Sequence, residues 1–435
     1  MEKPSPRSLE QSGSESTASP RARKSLLRAL AALRHRNFRL YWFAQIISLI
    51  GTWMQTIGQA WLVLSLTHSG WQLGLVGALQ ALPILLFSLF AGVVADRWPK
   101  RYILLVTQAA AMLQAFFFWV LIVTGTLQIW HIYVLALLLG VTNSLKLPAS
   151  GAFVVELVGR EDLPNAVALN SFFQMLARII GPAVAGMIIA VSSVTVLFLL
   201  NTLSFLPVIV SLALIKQNTL HAQVFRHSHR SGRQNAWQSL REGAAYVWRT
   251  PAVALLIAVV GLVLLFGSNF NVLLPLFATD ILRVGAEGFG FLSAATGAGA
   301  LLSALWLAWS NRQPAIRDVL IGMLVFALLE IVFAVSRIYP LSVLLIAGVG
   351  FSETAFAAQT LTALQTLPPD HLRGRVMSVQ VLFFDGSVPP GYLLVGWLSS
   401  LCGPSLTLLI CALLCLLITG IGWLWHKPAE WRSDS

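Results

Sequence analysis

Two stretches without a charged side chain, residues 73–95 and 102–124, flank one short charged turn, Asp96-Arg97-Trp98-Pro99-Lys100-Arg101. Each stretch is about the 20 residues that an α-helix needs to cross a bilayer. The turn carries three cations and one anion, which predicts a cytoplasmic position. The chain has 435 residues, 57% hydrophobic and 11% charged. A soluble protein of this size carries about 25% charged residues, so most of this chain belongs in lipid. Its apolar runs are continuous rather than alternating, which predicts helices and not a barrel.

Twelve spans are predicted, at about 40–66, 73–95, 102–124, 131–153, 165–190, 194–215, 253–279, 288–310, 318–336, 341–366, 376–400 and 405–425. The expected organisation has five parts. Residues 1–39 form a disordered basic tail with a short amphipathic segment, Leu26, Leu27, Leu30 and Leu33 sharing one helical side. Residues 40–215 form one six-helix bundle and 253–425 a second. Residues 216–252 are a basic cytoplasmic linker, patterned from Trp237 to Trp248 as an amphipathic surface helix, and 426–435 are a cytoplasmic tail. Of 29 Lys and Arg, 25 fall in the tails and alternate loops on one side. Arg283 and Arg337 stand on the other side, and Lys146 and Arg178 lie inside spans. This asymmetry puts both termini in the cytoplasm. It also accounts for the net charge of +12 without a nucleic-acid partner.

The spans repeat. Asp96-Arg97-Trp98-Pro99 matches Asn311-Arg312-Gln313-Pro314 at an offset of 215. The segment 161–167 matches 370–376 at an offset of 209, and Gly181-Pro182 lies opposite Pro390-Gly391 at the same offset. Each match sits at an equivalent helix position, as in transporters built from parallel six-helix halves. Chemistry of other kinds leaves no trace. Cys402, Cys411 and Cys415 make no metal-binding pattern. The chain contains no HExxH, no GxSxG turn and no nucleotide-binding glycine loop. Neither an enzyme nor a cofactor or metal is expected, nor transport driven by ATP.

Gly92-x-x-x-Asp96-Arg97-x-x-Lys100-Arg101 resembles the signature loop of the major facilitator superfamily. With it stand Arg36-Asn37-Phe38-Arg39, Gly51-Thr52-Trp53-Met54-Gln55, Leu147-Pro148-Ala149, the segments 165–171 and 178–186, and Leu372-Arg373-Gly374-Arg375-Val376-Met377-Ser378. Together they resemble the bacterial enterobactin-exporter-like branch, which includes macrolide-efflux relatives. The resemblance implies an all-α membrane fold of two pseudo-symmetric six-helix bundles in the inner membrane. It implies export of a small organic molecule, siderophore- or drug-like, by alternating access with proton antiport. A monomer is expected, with substrate, protons and membrane lipids as its partners. A lipid or lysolipid transporter of the same fold is the rival reading; a non-transporting sensor or a membrane enzyme ranks below it. Three departures from the pattern are Pro99 in the signature loop, Asn311 in its second copy, and Lys146 where relatives often carry an acid.

Candidate residues follow. A helix N-terminus attracts a carboxylate, so Asp96, steadied by Arg97 or Arg101, is expected to dock near Val376 and lock the cytoplasmic ends. Arg312, the counterpart of Arg97, is the gating candidate in the second copy. The alternative is that these cations only set topology. Inside the spans lie Lys146, Arg178, Glu330, Glu353 and Asp385. Each costs about 2.5–3.5 kcal/mol at a helix centre, so each must pair or line water. In superfamily order, spans 1, 4, 7 and 10 line the cavity. That sets Lys146 against Glu353 across the cavity, Arg178 beside Asp385 as a second pair, and Glu330 at the periphery. Glu353 and Asp385 are the proton-coupling candidates, unless both are fixed partners of the cations. Gln45, Ser48, Thr52, Gln55, Thr56 and Gln59 form a polar stripe at helical spacing on span 1. The predicted substrate cavity contains Gln55, Gln59, Asn143, Lys146, Asn269, Asn271 and Gln359, the alternative being hydrogen bonding between helices.

Overall fold

A computed structural model of the chain describes residues 31–215, 236–310 and 315–425, without the side chains at 88, 89, 93, 95, 96 and 236–239. After a 3-10 turn come α1 (Arg36–Thr67), α2 (Gly70–Arg97), α3 (Lys100–Val123), α4 (Ile129–Val158), α5 (Leu163–Val191) and α6 (Val194–Leu214). Then follow α7 (Ala236–Arg249), α8 (Pro251–Gly267), α9 (Phe270–Leu276), a π-turn, α10 (Gly285–Ser310), α11 (Ile316–Val335), α12 (Tyr339–Thr366) and α13 (Asp370–Trp425). In lipid every backbone N–H and C=O must be satisfied within the chain, and a long apolar run does this only as a helix.

Among the described residues, eleven helical spans are long and apolar enough to cross a membrane, with α8, α9 and the π-turn counted as one. The longest, α13, has 56 residues. Straight, it would run about 84 Å, more than twice a hydrocarbon core of about 30 Å. It is not straight. Gly403 has φ 80° and ψ 164°, a backbone conformation open essentially to glycine alone. Pro404 follows and leaves no N–H to mend the break. Two arms result, and the twelve-crossing reading rests on them.

In the first six helices, α2 packs on α4, α1 on α6 and α3 on α6. In the second group, α10 packs on α12, α8 on α13 and α11 on α12. The two groups meet mainly along two seams, α2 against α13 and α5 against α10. Under the sequence repeat, α2 corresponds to α10 and α5 to the first arm of α13. The seams are therefore one contact made twice.

Both seams are tightest near one end. A Cβ added to Gly290 would meet the carbonyl oxygen of Pro182 at 2.5 Å and the Cα of Gly186 at 2.8 Å. One added to Gly396 would meet the carbonyl oxygen of Gly70 at 2.8 Å and the Cα of Gly74 at 2.9 Å. Here helix backbones touch directly, as small residues permit in membranes. Towards the end that carries Arg36 and Asp370, the α2–α13 seam loosens. Gly386 would meet only Leu85, at 3.7 Å, and Gly92 has open space around it. Along that seam the two groups clasp at one end and part towards the other.

The linker helix α7 lies against the start of α13, where Glu242 pairs with Arg375. On this helix Val247 is buried and Trp248 is 88% exposed.

Candidate transport pathway

Between the groups lies a cavity of about 270 Å³. Trp53, Thr56 and Gln59 of α1 face it, with Val76, Gln80 and Ile84 of α2. Asn271 of α9, Phe289 of α10, and Val388 and Tyr392 of α13 close the other side. The spacing 53, 56, 57, 60 is one stripe of a helix, which is why α1 contributes a continuous wall. Gly77 leaves room for the Tyr392 ring, and Asn271 Nδ2 donates to Tyr392 Oη at 2.7 Å. That bond joins α9 to α13 across the cavity edge. The lining is mostly apolar and aromatic with a few amides and one phenol, the composition of a site for an organic molecule.

Of the predicted cavity residues, Gln59 and Asn271 line this space. The others do not. Gln55 is buried in the first group, where its Nε2 donates to Gln114 Oε1 at 2.9 Å and its Oε1 accepts from Asn201 Nδ2 at 2.5 Å. Gln114 in turn donates to the Leu135 carbonyl at 3.3 Å. These bonds tie α1, α3, α4 and α6, so Gln55 takes the inter-helix alternative. Asn269 is also structural. Its Nδ2 donates to the carbonyls of Leu265 (2.8 Å) and Phe266 (3.0 Å), which α8 leaves free at its end. Asn143 and Lys146 are half-buried on α4, and Gln359 is buried on α12, all outside the lining.

The two expected ion pairs do not form among the described residues. Helices α4 and α12 belong to different groups and do not pack as a pair. Glu353 instead accepts a hydrogen bond from Ser268 in its own group. Arg178 and Asp385 are separated for a related reason: α5 and α13 are repeat equivalents and belong to opposite seams. The Arg178 guanidinium lies 5.8 Å from the ring centre of Trp53, a cation–π distance, and so backs the cavity wall. Asp385 is exposed, three and seven residues before Val388 and Tyr392 and hence on their side of the helix. Glu330 stands away from the cavity lining and is fully buried in the second group.

At the parted end, the side chain of Asp96 and all of Arg312 lie outside the described residues. Arg97 is exposed. Arg101 donates to the carbonyls of Leu212 (2.6 Å) and Ala213 (2.9 Å), capping the negative end of α6. Lys100 pairs with Glu156 at 3.4 Å. Both cations are thus engaged within their own group.

A family model described as transmembrane secretion effector, from the major facilitator superfamily, matches residues 27–434. The chain belongs to that family. It is 26% identical over 377 residues to the staphyloferrin A transporter of Staphylococcus aureus, covering 82% of this chain and 88% of that one. It is 26% identical over 358 residues to the enterobactin exporter EntS of Escherichia coli O1:K1 / APEC, covering 81% and 83%. The fold resembles the crystal structure of the nucleoside transporter NupG, with TM-score 0.70, 14% identity and coverage of 89% and 100%. It equally resembles a bacterial homolog of the human lysosomal transporter Spinster, with TM-score 0.70, 13% identity and coverage of 95% and 100%. This facilitator is therefore a multi-pass membrane transporter and not an enzyme.

Several residues of this facilitator escaped the sequence reading. Gln114 and Asn201 complete the buried amide knot, and each is an isolated amide within an apolar run. Gln80, Phe289 and Tyr392 line the cavity. Tyr392 had one available signal, its place directly after Pro389-Pro390-Gly391.

Proposed function

We propose that this transporter exports a small organic molecule by alternating access, with protons moving in the opposite direction. The supporting observation is the cavity between the groups, clasped at one end and parted along the α2–α13 seam at the end that carries Arg36 and Asp370. With the termini in the cytoplasm, as the Lys and Arg asymmetry argues, this is the state that takes substrate from inside. Two relatives are named for siderophores, and a siderophore-like molecule is the first substrate class to try. Glu353 and Asp385 remain the acids for proton exchange, and Asp96 the residue that locks the inner end when it closes.

The test uses purified protein in liposomes holding a pH-sensitive dye. A proton gradient is imposed, and staphyloferrin A, enterobactin, a macrolide and a lysolipid are offered in turn. Proton movement triggered by one compound, and lost in Glu353→Gln or Asp385→Asn, supports the reading. A second reading draws on an apolar groove of about 480 Å³ between α8 and α13, lined by Leu262, Phe383 and Pro390 among others. Such a groove suits an acyl chain. Labelled lipid crossing without proton movement would favour a lipid transporter.

A further inference from the structure

The groove between α8 and α13 lies on the far side of α13 from the cavity. Gly386 and Pro390 face the groove. Val388 and Tyr392, each two residues further on, face the cavity, about 200° round the helix. What enters the groove is therefore outside the pathway between the groups. Glycine gives the groove its room: a Cβ added to Gly261 would meet nothing nearer than Phe383, at 3.8 Å. On α8 the groove begins at Ala258, about 10 Å along the helix from Pro251. Pro251, Ala258 and Leu262 are all exposed and share one side of α8. An exposed strip thus runs from the start of that helix into the groove.

Helix α7 lies across this start, packed on both α8 and α13. Its Glu242 pairs with Arg375, and a Cβ added to its Gly243 would meet the Arg375 carbonyl oxygen at 2.5 Å. Arg375 stands seven residues before Leu382 and so on the groove side of α13. The outer face of α7 carries Arg241, Trp248 and Arg249, all exposed. Among the described residues neither arginine enters an ion pair. The apolar span begins at Pro251, three residues after Trp248, which puts this face at the membrane surface. A bare indole between two guanidinium groups suits a headgroup layer, where Trp settles and Arg meets phosphate.

We infer that α7 and the α8–α13 groove together bind one anionic phospholipid, its phosphate on Arg241 and Arg249 and an acyl chain in the groove. Charge selects the headgroup, and anionic lipids are a feature of the cytoplasmic leaflet. Depth agrees with this placement. The headgroup layer is about 5–8 Å thick on each side of the hydrocarbon, comparable with the interval between the start of α8 and the groove. The lipid is a resident ligand and not cargo. It braces the helix that holds Arg375 at the parted end. The site does not rest on the export reading.

Native mass spectrometry of the full-length protein, released from detergent after incubation with dioleoyl phosphatidylglycerol or dioleoyl phosphatidylcholine, tests the site. The wild type is expected to retain one phosphatidylglycerol in preference to phosphatidylcholine. Arg241→Gln with Arg249→Gln should cut that preference by about fivefold per arginine removed. Arg283→Gln, an exposed cation on the opposite side, should keep it. Gly261→Leu fills the groove and should lower retention of both lipids. Equal retention of the two lipids by the wild type overturns the inference, as does a preference unmoved by the paired arginine substitutions. Retention untouched by Gly261→Leu overturns the placement of the chain. In liposomes the protein is expected not to speed the crossing of labelled phosphatidylglycerol. Faster crossing that is lost with the two arginines would make the lipid cargo and overturn its resident role.

Discussion

Gln55 and Gln59 stand one turn apart on α1, yet one amide braces the bundle and the other faces the cavity. The difference arises from what the neighbouring helices present. Gln114 and Asn201 claim both ends of the Gln55 amide, whereas Gln59 lines the cavity. Gln55→Ala leaves Gln114 Oε1 and Asn201 Nδ2 without their partner and is expected to cost about 1–3 kcal/mol, read as a lower melting temperature in detergent. Asn271→Ala, at an exposed wall position, should leave melting within about 0.5 kcal/mol of the wild type while changing transport. The polar stripe on the first span was legible, because lipid tolerates no unmatched polar face. Which stripe residue meets protein and which meets the pathway was not, since the deciding partners lie 59 and 146 positions away in the chain.

Helices were the most legible level. Continuous apolar runs in lipid have one solution, and the predicted spans recur with edges shifted by a few residues, except that the last two run together as α13. α2, predicted over 73–95, runs Gly70–Arg97. The break between α8 and α9 at Ser268 and Asn269 was not foreseen, because nothing local forbids helix there. Nor was the partnering of the intramembrane charges. Pairing by repeat symmetry set Arg178 against Asp385, but equivalent helices occupy opposite seams. At the α5–α10 seam, Gly290→Val has no space and must force the helices apart. The expected result is a population shifted towards the state open at that end. A cysteine at Gln59 in a Cys402→Ser background should then react faster with a membrane-impermeant thiol reagent applied from outside. Unchanged reactivity would mean that the seam does not gate the cavity.

At the scale of the molecule, the family and the all-α membrane fold follow from the same evidence: a repeated half, a charged turn and a match over nearly the whole chain. Orientation is a separate matter, argued from the Lys and Arg count. A reporter fused after Ser435 is expected to be active only in the cytoplasm. Activity on the outer face would imply an odd number of crossings or the reverse topology, and would turn the parted end outward.

The clasped end is built on glycine backbones, Gly186 against Gly290 on one seam and Gly74 against Gly396 on the other. The parted end is rimmed by Lys100, Glu156, Asp370, Arg373 and Arg375. The two gates therefore answer to different surroundings. Salt is therefore expected to loosen the ion-paired rim more than the clasp. The cycle would then take its sensitivity to salt from one gate alone.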